Sequence, residues 1–137
     1  MRQADYQKPT PYSALKVLVV DDEDHMRELV CRMLKVFDLH AEAVSDATAA
    51  MHCLEQKRYD LLITDFQMPD VDGYALATWL KRCANHTRIV IMTGRNYSEL
   101  KEYMCDGIVD EWLFKPFTMN HLAVSLDRLF NARVRLK

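Results

Sequence analysis

Residues 60–73 read "DLLITDFQMPDVDG", and this stretch decides the fold. The apolar run from Leu61 to Ile63 is continuous rather than alternating, which indicates a strand that is covered on both faces. The run leads to Asp65, a carboxylate at the point where a buried strand would end. A polar segment then reaches Gly73, which permits a tight entry into the next element. The stretch therefore predicts a buried strand, a polar loop and a helix in succession.

The same succession of strand and helix occurs five times along the chain. Apolar, β-branched runs predict the strands, and apolar residues three or four positions apart predict amphipathic helices. The predicted strands are 15–20, 39–44, 60–64, 88–92 and 111–114, and the predicted helices are 24–37, 46–56, 73–83, 97–105 and 119–130. This alternation implies an α/β fold, a doubly wound (βα)5 parallel five-stranded sheet with helices on both faces. Right-handed crossovers favour the flavodoxin-like strand order 2-1-3-4-5.

Helix ends and helix faces follow from local residue types. Asp24 is predicted to cap the first helix, and Ser45 or Asp46 the second. Gly107 is predicted to act as the C-cap of the fourth helix. In the last helix, Val124 is expected to face the core together with the leucines.

The composition argues against several classes of protein. The chain has 137 residues, half of them hydrophobic, and a formal net charge of −2, which indicates one domain without a strong field toward nucleic acid or membrane. The apolar runs are too short to span a membrane, and the amino terminus lacks the apolar segment of a signal peptide. The four cysteines form no C-x-x-C pair, which is typical of reduced structural thiols in a cytoplasmic protein.

Reactive side chains follow four of the five predicted strands. Asp21 and Asp22 follow the first, Asp65 the third, Thr93 the fourth and Lys115 the fifth. Because ligands bind at the carboxyl ends of parallel strands, we expect these side chains to share one rim of the sheet. Three clustered carboxylates repel one another, and a Mg²⁺ ion would offset that repulsion better than one lysine. An aspartate can also attack phosphorus, so the rim predicts Mg²⁺-dependent phosphoryl transfer.

The motifs that carry these residues resemble the receiver domain of two-component response regulators. The matching stretches are "VLVVDDE" (17–23), "DLLITDFQMPDVDG" (60–73), "IVIMTG" (89–94) and "FKPF" (114–117). The resemblance covers about residues 14–131, the expected receiver domain. Residues 1–13 are then expected to be a flexible leader, and residues 132–137 a basic carboxyl-terminal tail.

The resemblance implies a set of catalytic and metal-binding roles. Asp65 would be the phosphoacceptor and a metal ligand. Asp22 would bind Mg²⁺ directly, Asp21 would help through water, and the backbone carbonyl of Gln67 would be a further ligand. Lys115 would pair with the phosphoryl group.

The resemblance also implies a switch and a means of tuning it. Thr93 would bind a phosphoryl oxygen and move inward, and Trp112 would follow it at a position where receivers commonly carry Tyr or Phe. Gln67 and Arg95 would flank the path of the attacking water and tune the phosphoryl lifetime. Arg95 is predicted either to bridge to Gln67 or the phosphoryl group, or to be a solvated loop residue.

The predicted function is a signalling switch rather than an enzyme, one that catalyses only its own phosphorylation and dephosphorylation. A sensor histidine kinase or a phosphotransfer protein would phosphorylate the cytoplasmic domain, and the helix 4–strand 5–helix 5 face would bind an unidentified output partner. The expected oligomeric state is a monomer or a phosphorylation-induced dimer, without direct contact to membrane or nucleic acid. The chain would be either a stand-alone receiver or the receiver part of a longer regulator.

Three other functions remain as alternatives. A haloacid-dehalogenase-type phosphatase needs a second acid two positions after the nucleophile, where this chain has Gln67. A flavodoxin needs a Ser/Thr/Gly-rich phosphate loop after the first strand, where this chain has "DDEDH" at 21–25. A degenerate receiver that serves only as an interaction module would not need the complete set of rim residues.

Overall fold

Five strands alternate with five helices in a computed structural model of the chain, which describes residues 14–83 and 86–130. The predicted leader and tail lie outside the described residues. The strands are β1 (Val17–Val20), β2 (Glu42–Val44), β3 (Leu61–Asp65), β4 (Arg88–Thr93) and β5 (Glu111–Phe114). The helices are α1 (Asp24–Val36), α2 (Ala47–Gln56), α3 (Gly73–Cys83), α4 (Tyr97–Met104) and α5 (Met119–Phe130).

All strand pairs are parallel, and the strand order is β2-β1-β3-β4-β5. β3 lies at the centre, where Ile63 is in register with Val19 of β1 and Val90 of β4. The predicted doubly wound fold and its strand order are therefore confirmed. Since every strand runs the same way, all five carboxyl ends meet at one rim of the sheet.

Successive strand residues pack into two separate cores, one on each face of the sheet. The face covered by α1 and α5 has a core that includes Val19, Ile63, Val90, Leu34 and Leu126. The face covered by α2, α3 and α4 has a core that includes Leu18, Leu62, Ile91, Leu76 and Leu100. Each fully buried aliphatic side chain contributes about 1.5–3 kcal/mol to folding. All five residues of β3 are buried, so this strand is held firmly from both faces.

The beginnings of α1 and α2 differ in their capping. Asp24 is the first residue of α1 rather than its cap, and the N-cap Glu23 makes no side-chain capping hydrogen bond. The prediction for Asp24 was therefore wrong by one position. In α2 the N-cap is Asp46, whose carboxylate accepts a hydrogen bond from the Ala49 amide at 2.7 Å.

The strand β2 is shorter than predicted because a turn follows α1 and precedes the strand. Asp38 adopts a left-handed conformation with φ of 68°, and the Leu39 amide donates to the Leu34 carbonyl oxygen at 3.0 Å. Leu39 is fully buried by this turn, and the strand begins only at Glu42.

Two predictions for the later helices also need correction. Gly107 has a left-handed φ of 75°, but the C-cap of α4 is Cys105, two residues earlier. Val124 is 37% exposed, whereas the leucines of α5 are buried as expected. A side chain exposed on α5 is available for contact with other molecules rather than for the core.

Two observations bear on the predicted surroundings of the domain. Within residues 14–83 and 86–130, no helix combines the length and apolar character needed to cross a bilayer. The four cysteines, all in that part of the chain, are free thiols. Cys83 and Cys105 are exposed, so these two do not have the packing role that was predicted for them.

Candidate functional site

The predicted side chains lie at the carboxyl ends of the strands, an edge of the sheet that we call the carboxyl rim. They are Asp21, Asp22, Asp65, Thr93 and Lys115. One carboxylate oxygen from each of Asp21, Asp22 and Asp65 lies within 4.8 Å of the other two. The Lys115 ammonium lies 2.9 Å from Asp65 Oδ1 and 3.9 Å from Asp21 Oδ2. The structure therefore brings the three acids and the lysine together as the sequence predicted.

Asp65 is placed by a tight backbone arrangement after β3. The Phe66 amide donates to the Met92 carbonyl oxygen, and the Gly73 amide donates to the Phe66 carbonyl oxygen, both at 2.8 Å. A Cβ atom added at Gly73 would lie only 2.1 Å from the Asp65 carbonyl oxygen. Only glycine fits this close approach, because any side chain would displace the backbone that carries Asp65.

Asp21 is fully buried and only partly satisfied. Its Oδ1 atom accepts a hydrogen bond from the Glu23 amide at 2.9 Å, and its own amide donates to the Val44 carbonyl oxygen at 3.2 Å. Its Oδ2 atom is buried and has no hydrogen-bond partner within residues 14–83 and 86–130. Burial raises the pKa of Asp21, and repulsion from Asp65 adds to the effect, although the Glu23 hydrogen bond opposes it.

Asp65 is also a buried carboxylate whose charge is only partly neutralised. It is 8% exposed, and burial raises its pKa above the ordinary value, although the hydrogen bond and charge of Lys115 oppose that shift. The rim therefore contains more negative charge than its one lysine neutralises.

The donor set at the rim fits a hard divalent cation. Mg²⁺ prefers oxygen ligands and commonly takes one or two carboxylates together with water and phosphate oxygens. The three converging carboxylates and the orphaned Oδ2 atom of Asp21 supply ligands of that kind. The repulsion between these carboxylates also favours the binding of a cation here.

Gln67 and Arg95 form a bridge between the loops that follow β3 and β4. The Arg95 guanidinium donates to Gln67 Oε1 at 3.1 Å and lies 5.3 Å from the centre of the Phe66 ring. The Arg95 amide donates to Thr93 Oγ1 at 3.0 Å. Of the two predicted arrangements for Arg95, the bridge to Gln67 is the one observed.

Thr93 and Trp112 lie on the neighbouring strands β4 and β5. Thr93 is 2% exposed at the end of β4. Trp112 is half-buried in the core beneath α2, α3 and α4, with its ring 6.1 Å from that of Phe66. Phe66 in turn makes an edge contact with Tyr103 of α4 at 5.2 Å. Sequence reasoning predicted no aromatic contact for Phe66 or Tyr103; the signal for Phe66 was an aromatic residue directly after Asp65 in a polar loop.

Comparison with known proteins gives the class of protein that this fold and site define. The family model for the response regulator receiver domain matches residues 17–127. The chain therefore belongs to the response regulator receiver domain family, as the sequence motifs predicted, and it is a receiver domain of two-component signalling.

The relatives that resemble this chain are longer proteins of different kinds. Transcription factor SKN7 of Saccharomyces cerevisiae is 34% identical over 121 residues, which cover 88% of this chain and 19% of SKN7. Sensor protein EvgS of Escherichia coli O157:H7 is 31% identical over 115 residues, which cover 84% of this chain and 10% of EvgS. The chain thus spans a fifth or less of the length of these relatives.

A solved structure supports the same fold. Response regulator protein TrrA from Thermotoga maritima, determined in complex with Mg²⁺ and BeF, superposes with a TM-score of 0.76. The two chains are 26% identical, and the likeness covers 84% of this chain and 98% of that one.

Proposed function

We propose that this chain is a phosphorylation switch in which Asp65 accepts a phosphoryl group from a sensor histidine kinase or a phosphotransfer protein. One observation carries the proposal: the buried Asp65 carboxylate lies 2.9 Å from Lys115 and within 4.8 Å of oxygens of Asp21 and Asp22. Phosphoryl transfer depends mainly on positioning and on neutralising charge, and this arrangement offers both.

Mg²⁺ is the proposed cofactor of the transfer. The carboxylates of Asp21, Asp22 and Asp65 and the backbone carbonyl of Gln67 would hold it. When bound, it would neutralise the acids and stabilise negative charge on the phosphoryl oxygens. The orphaned Asp21 Oδ2 atom supports this assignment, as does the Mg²⁺ present in the TrrA complex.

The chemical step is a displacement at phosphorus. A carboxylate oxygen of Asp65 bonds to the phosphorus of a phosphohistidine while the phosphorus–nitrogen bond breaks, and the imidazole leaves with the electron pair and takes up a proton. Lys115 pairs with the oxygens of the transferred group, and the Thr93 hydroxyl donates a hydrogen bond to them. The chain modifies itself in this step, which is why we regard it as a switch rather than an enzyme with a separate substrate.

The proposed switch starts at Thr93. If its hydroxyl moves toward the phosphoryl group, the hydrogen bond from the Arg95 amide changes. Arg95 lies over the ring of Phe66, and Phe66 contacts Trp112, so Trp112 moves in response. Such a local electrostatic change can shift the population of a two-state element. In the same proposal, Gln67 and Arg95 control how readily water reaches the aspartyl phosphate.

The surface that would report the change is formed by α4, β5 and α5. Phe114 and Val124 expose 38% and 37% of their surface there, which suits contact with a protein partner. We propose that this face binds the output partner, and that the domain, in the cytoplasm, is a monomer or dimerises when phosphorylated. Size-exclusion chromatography with and without beryllofluoride checks the oligomeric state.

The function is tested by phosphorylation with labelled acetyl phosphate. We expect the wild-type protein to take up label when Mg²⁺ is present and to lose that ability in EDTA. The variant Asp65→Asn should take up no label. Asp70→Asn, a matched control in the same loop, should be labelled as wild type is. Asp70 is exposed and has a left-handed φ of 69°, a conformation that asparagine also tolerates. Label on Asp65→Asn would contradict the proposal by placing the phosphoryl group on another residue. A wild-type protein without label would contradict it too and would favour an interaction module without phosphorylation.

A further inference from the structure

Arg27 lies on α1, which follows the acidic pair Asp21 and Asp22. Its side chain bonds to the backbone of the carboxyl rim. Its Nη1 atom donates to the Asp21 carbonyl oxygen at 2.8 Å, and its Nη2 atom donates to the Asp24 carboxylate. The Arg27 side chain is only 21% exposed, so most of it is packed against the protein. The planar guanidinium makes the two bonds at once, which a lysine ammonium on a flexible stem does less well.

The turn that Arg27 holds has few other restraints. The N-cap of α1, Glu23, makes no side-chain capping bond, and its amide donates to Asp21 Oδ1 instead. The Asp21 amide is tied to Val44 at the end of β2. Arg27 therefore provides the link from the Asp21 backbone to the body of α1, and it leaves the Asp21 Oδ2 atom unbonded within residues 14–83 and 86–130.

We propose that Arg27 is a positioning residue: by holding the Asp21 carbonyl oxygen, it fixes the acidic pair after β1 in the arrangement that Mg²⁺ binding requires. The inference rests on the proposed Mg²⁺ site and adds a residue that touches neither the metal nor the phosphoryl group. Partners that orient metal ligands commonly affect metal affinity by about 10- to 100-fold.

The change in Mg²⁺ affinity expected on removing Arg27 has opposite signs if the residue acts through its charge and if it acts by positioning. A cation beside an acidic site repels Mg²⁺, so if Arg27 acted only through its charge, its removal would tighten metal binding. If Arg27 acts by positioning, its removal loosens the turn and weakens metal binding. The sign of the change in Mg²⁺ affinity therefore separates the two roles.

Mg²⁺ titration calorimetry on the full chain tests the inference. The variants are Arg27→Ala, Arg27→Lys and the control Arg32→Ala, which removes the same charge from an exposed position on the same helix. We expect Arg27→Ala to raise the Mg²⁺ dissociation constant about tenfold or more. Arg27→Lys keeps the charge and should also weaken binding, by a smaller factor, whereas Arg32→Ala should stay within about twofold of wild type.

A second readout separates loss of position from loss of folding. Circular dichroism and the melting temperature without Mg²⁺ report whether each variant is folded, and the Mg²⁺-induced rise in melting temperature reports binding independently of phosphorylation. At saturating Mg²⁺, the phosphorylation rate of Arg27→Ala should return toward wild type, because the defect lies in metal binding. If Arg27→Ala does not fold, Arg27→Lys decides the outcome.

Each result has a defined meaning. Unchanged or tighter Mg²⁺ binding in Arg27→Ala, or in Arg27→Lys where Ala does not fold, would overturn the positioning role. Equal weakening in Arg27→Ala and Arg32→Ala would overturn it too, because the effect would then be a general one of the helix. A wild-type protein that binds no Mg²⁺ would instead contradict the proposed function, and the inference would fall with it.

Discussion

The carboxylates at the two ends of the sheet differ in how fully their charges are paired. At the amino ends of the strands, which we call the amino rim, each of three carboxylates has a partner. Glu42 accepts hydrogen bonds from Lys57 and Tyr59, and these bonds lower its pKa. Asp60 accepts from the Lys16 amide at 2.9 Å, and Asp110 accepts from the Ile89 amide at 2.8 Å.

The carboxyl rim has the reverse balance. Asp21 and Asp65 are more buried than the carboxylates of the amino rim, and burial raises the pKa of both. Three carboxylates converge there beside Lys115, and one buried oxygen atom has no hydrogen-bond partner among the described residues. The same sheet thus carries paired charges that stabilise the fold at one end and uncompensated charges at the other.

This difference locates the function physically. Paired groups at the amino rim contribute modest stability to the fold. Carboxylates at the carboxyl rim that are only partly neutralised cost stability unless a cation offsets their charge. Displaced pKa values of this kind are typical of functional sites, because the arrangement is kept despite its cost.

The largest expected effect comes from removing the lysine at each end. In Mg²⁺-free buffer, Lys115→Met leaves buried carboxylates without their counter-ion, and we expect it to lower the free energy of unfolding by about 2 kcal/mol. Lys57→Met breaks a half-exposed pair and should lower it by less than about 1 kcal/mol. Urea denaturation of both variants measures the two changes, and equal losses would contradict the difference between the rims.

Neutralising one acid at each end should change stability in opposite directions. Without Mg²⁺, Asp21→Asn removes a buried charge and should raise the free energy of unfolding by about 1 kcal/mol. Glu42→Gln weakens its hydrogen bonds to Lys57 and Tyr59 and should lower it by about 0.5 kcal/mol. The comparison is made at pH 7 by urea denaturation. A loss of stability in Asp21→Asn would show that its charge is already compensated.

The pH dependence of those two variants should also differ. Because the pKa of Asp21 is raised by folding, its cost to stability is absent below the unfolded pKa and complete above the folded one. The gap between wild type and Asp21→Asn should therefore close as the pH falls from 7 toward about 4. The pKa of Glu42 is lowered, so its contribution should persist at pH 5 to 7 and disappear only below its ordinary pKa, near 4.5. Denaturation curves along this pH series check both trends.

The smallest effect on stability is expected at the bridge above the carboxyl rim. Arg95→Ala removes an exposed contact to Gln67 and should change the free energy of unfolding by less than about 0.5 kcal/mol. It should nevertheless shorten the phosphoryl lifetime several-fold, because the bridge lies between the two loops that flank Thr93 and Asp65. Loss of label after removal of the phosphodonor measures the lifetime, with the exposed Lys101→Ala of α4 as control. A lifetime equal to that of the control would contradict the proposed role of Arg95.

The strand order could be predicted from the alternation of strands and helices with right-handed crossovers, and the rim could be predicted for a second physical reason. Central parallel strands must be continuously apolar, so a run such as Leu61 to Ile63 is conspicuous, and the polar residue after it must lie at the rim. The positions of Asp21 and Asp65 follow directly from that rule.

The features that were not predicted depend on turns and contacts that residue types alone do not reveal. Leu39 was predicted to be a strand residue because it is apolar, but the left-handed turn at Asp38 lets its amide bond back to Leu34 of α1, before β2 begins. The bond from Arg27 joins a side chain to a backbone carbonyl, a partner that no residue type reveals. The packing of Trp112 against Phe66, which follows β3, likewise requires β5 to be placed two strands from β3.

The central claim is that Asp65 itself carries the phosphoryl group, and reductive trapping tests it most directly. Borohydride reduces an aspartyl phosphate to homoserine, so fragmentation of the peptide that spans residues 59–81 can locate the modified position. We predict homoserine at position 65 after treatment with acetyl phosphate and Mg²⁺, with Asp60, Asp70 and Asp72 unchanged. Conversion at Asp60, Asp70 or Asp72, or at Asp21 or Asp22 in the separate peptide that spans residues 17–27, with Asp65 intact, would contradict the account.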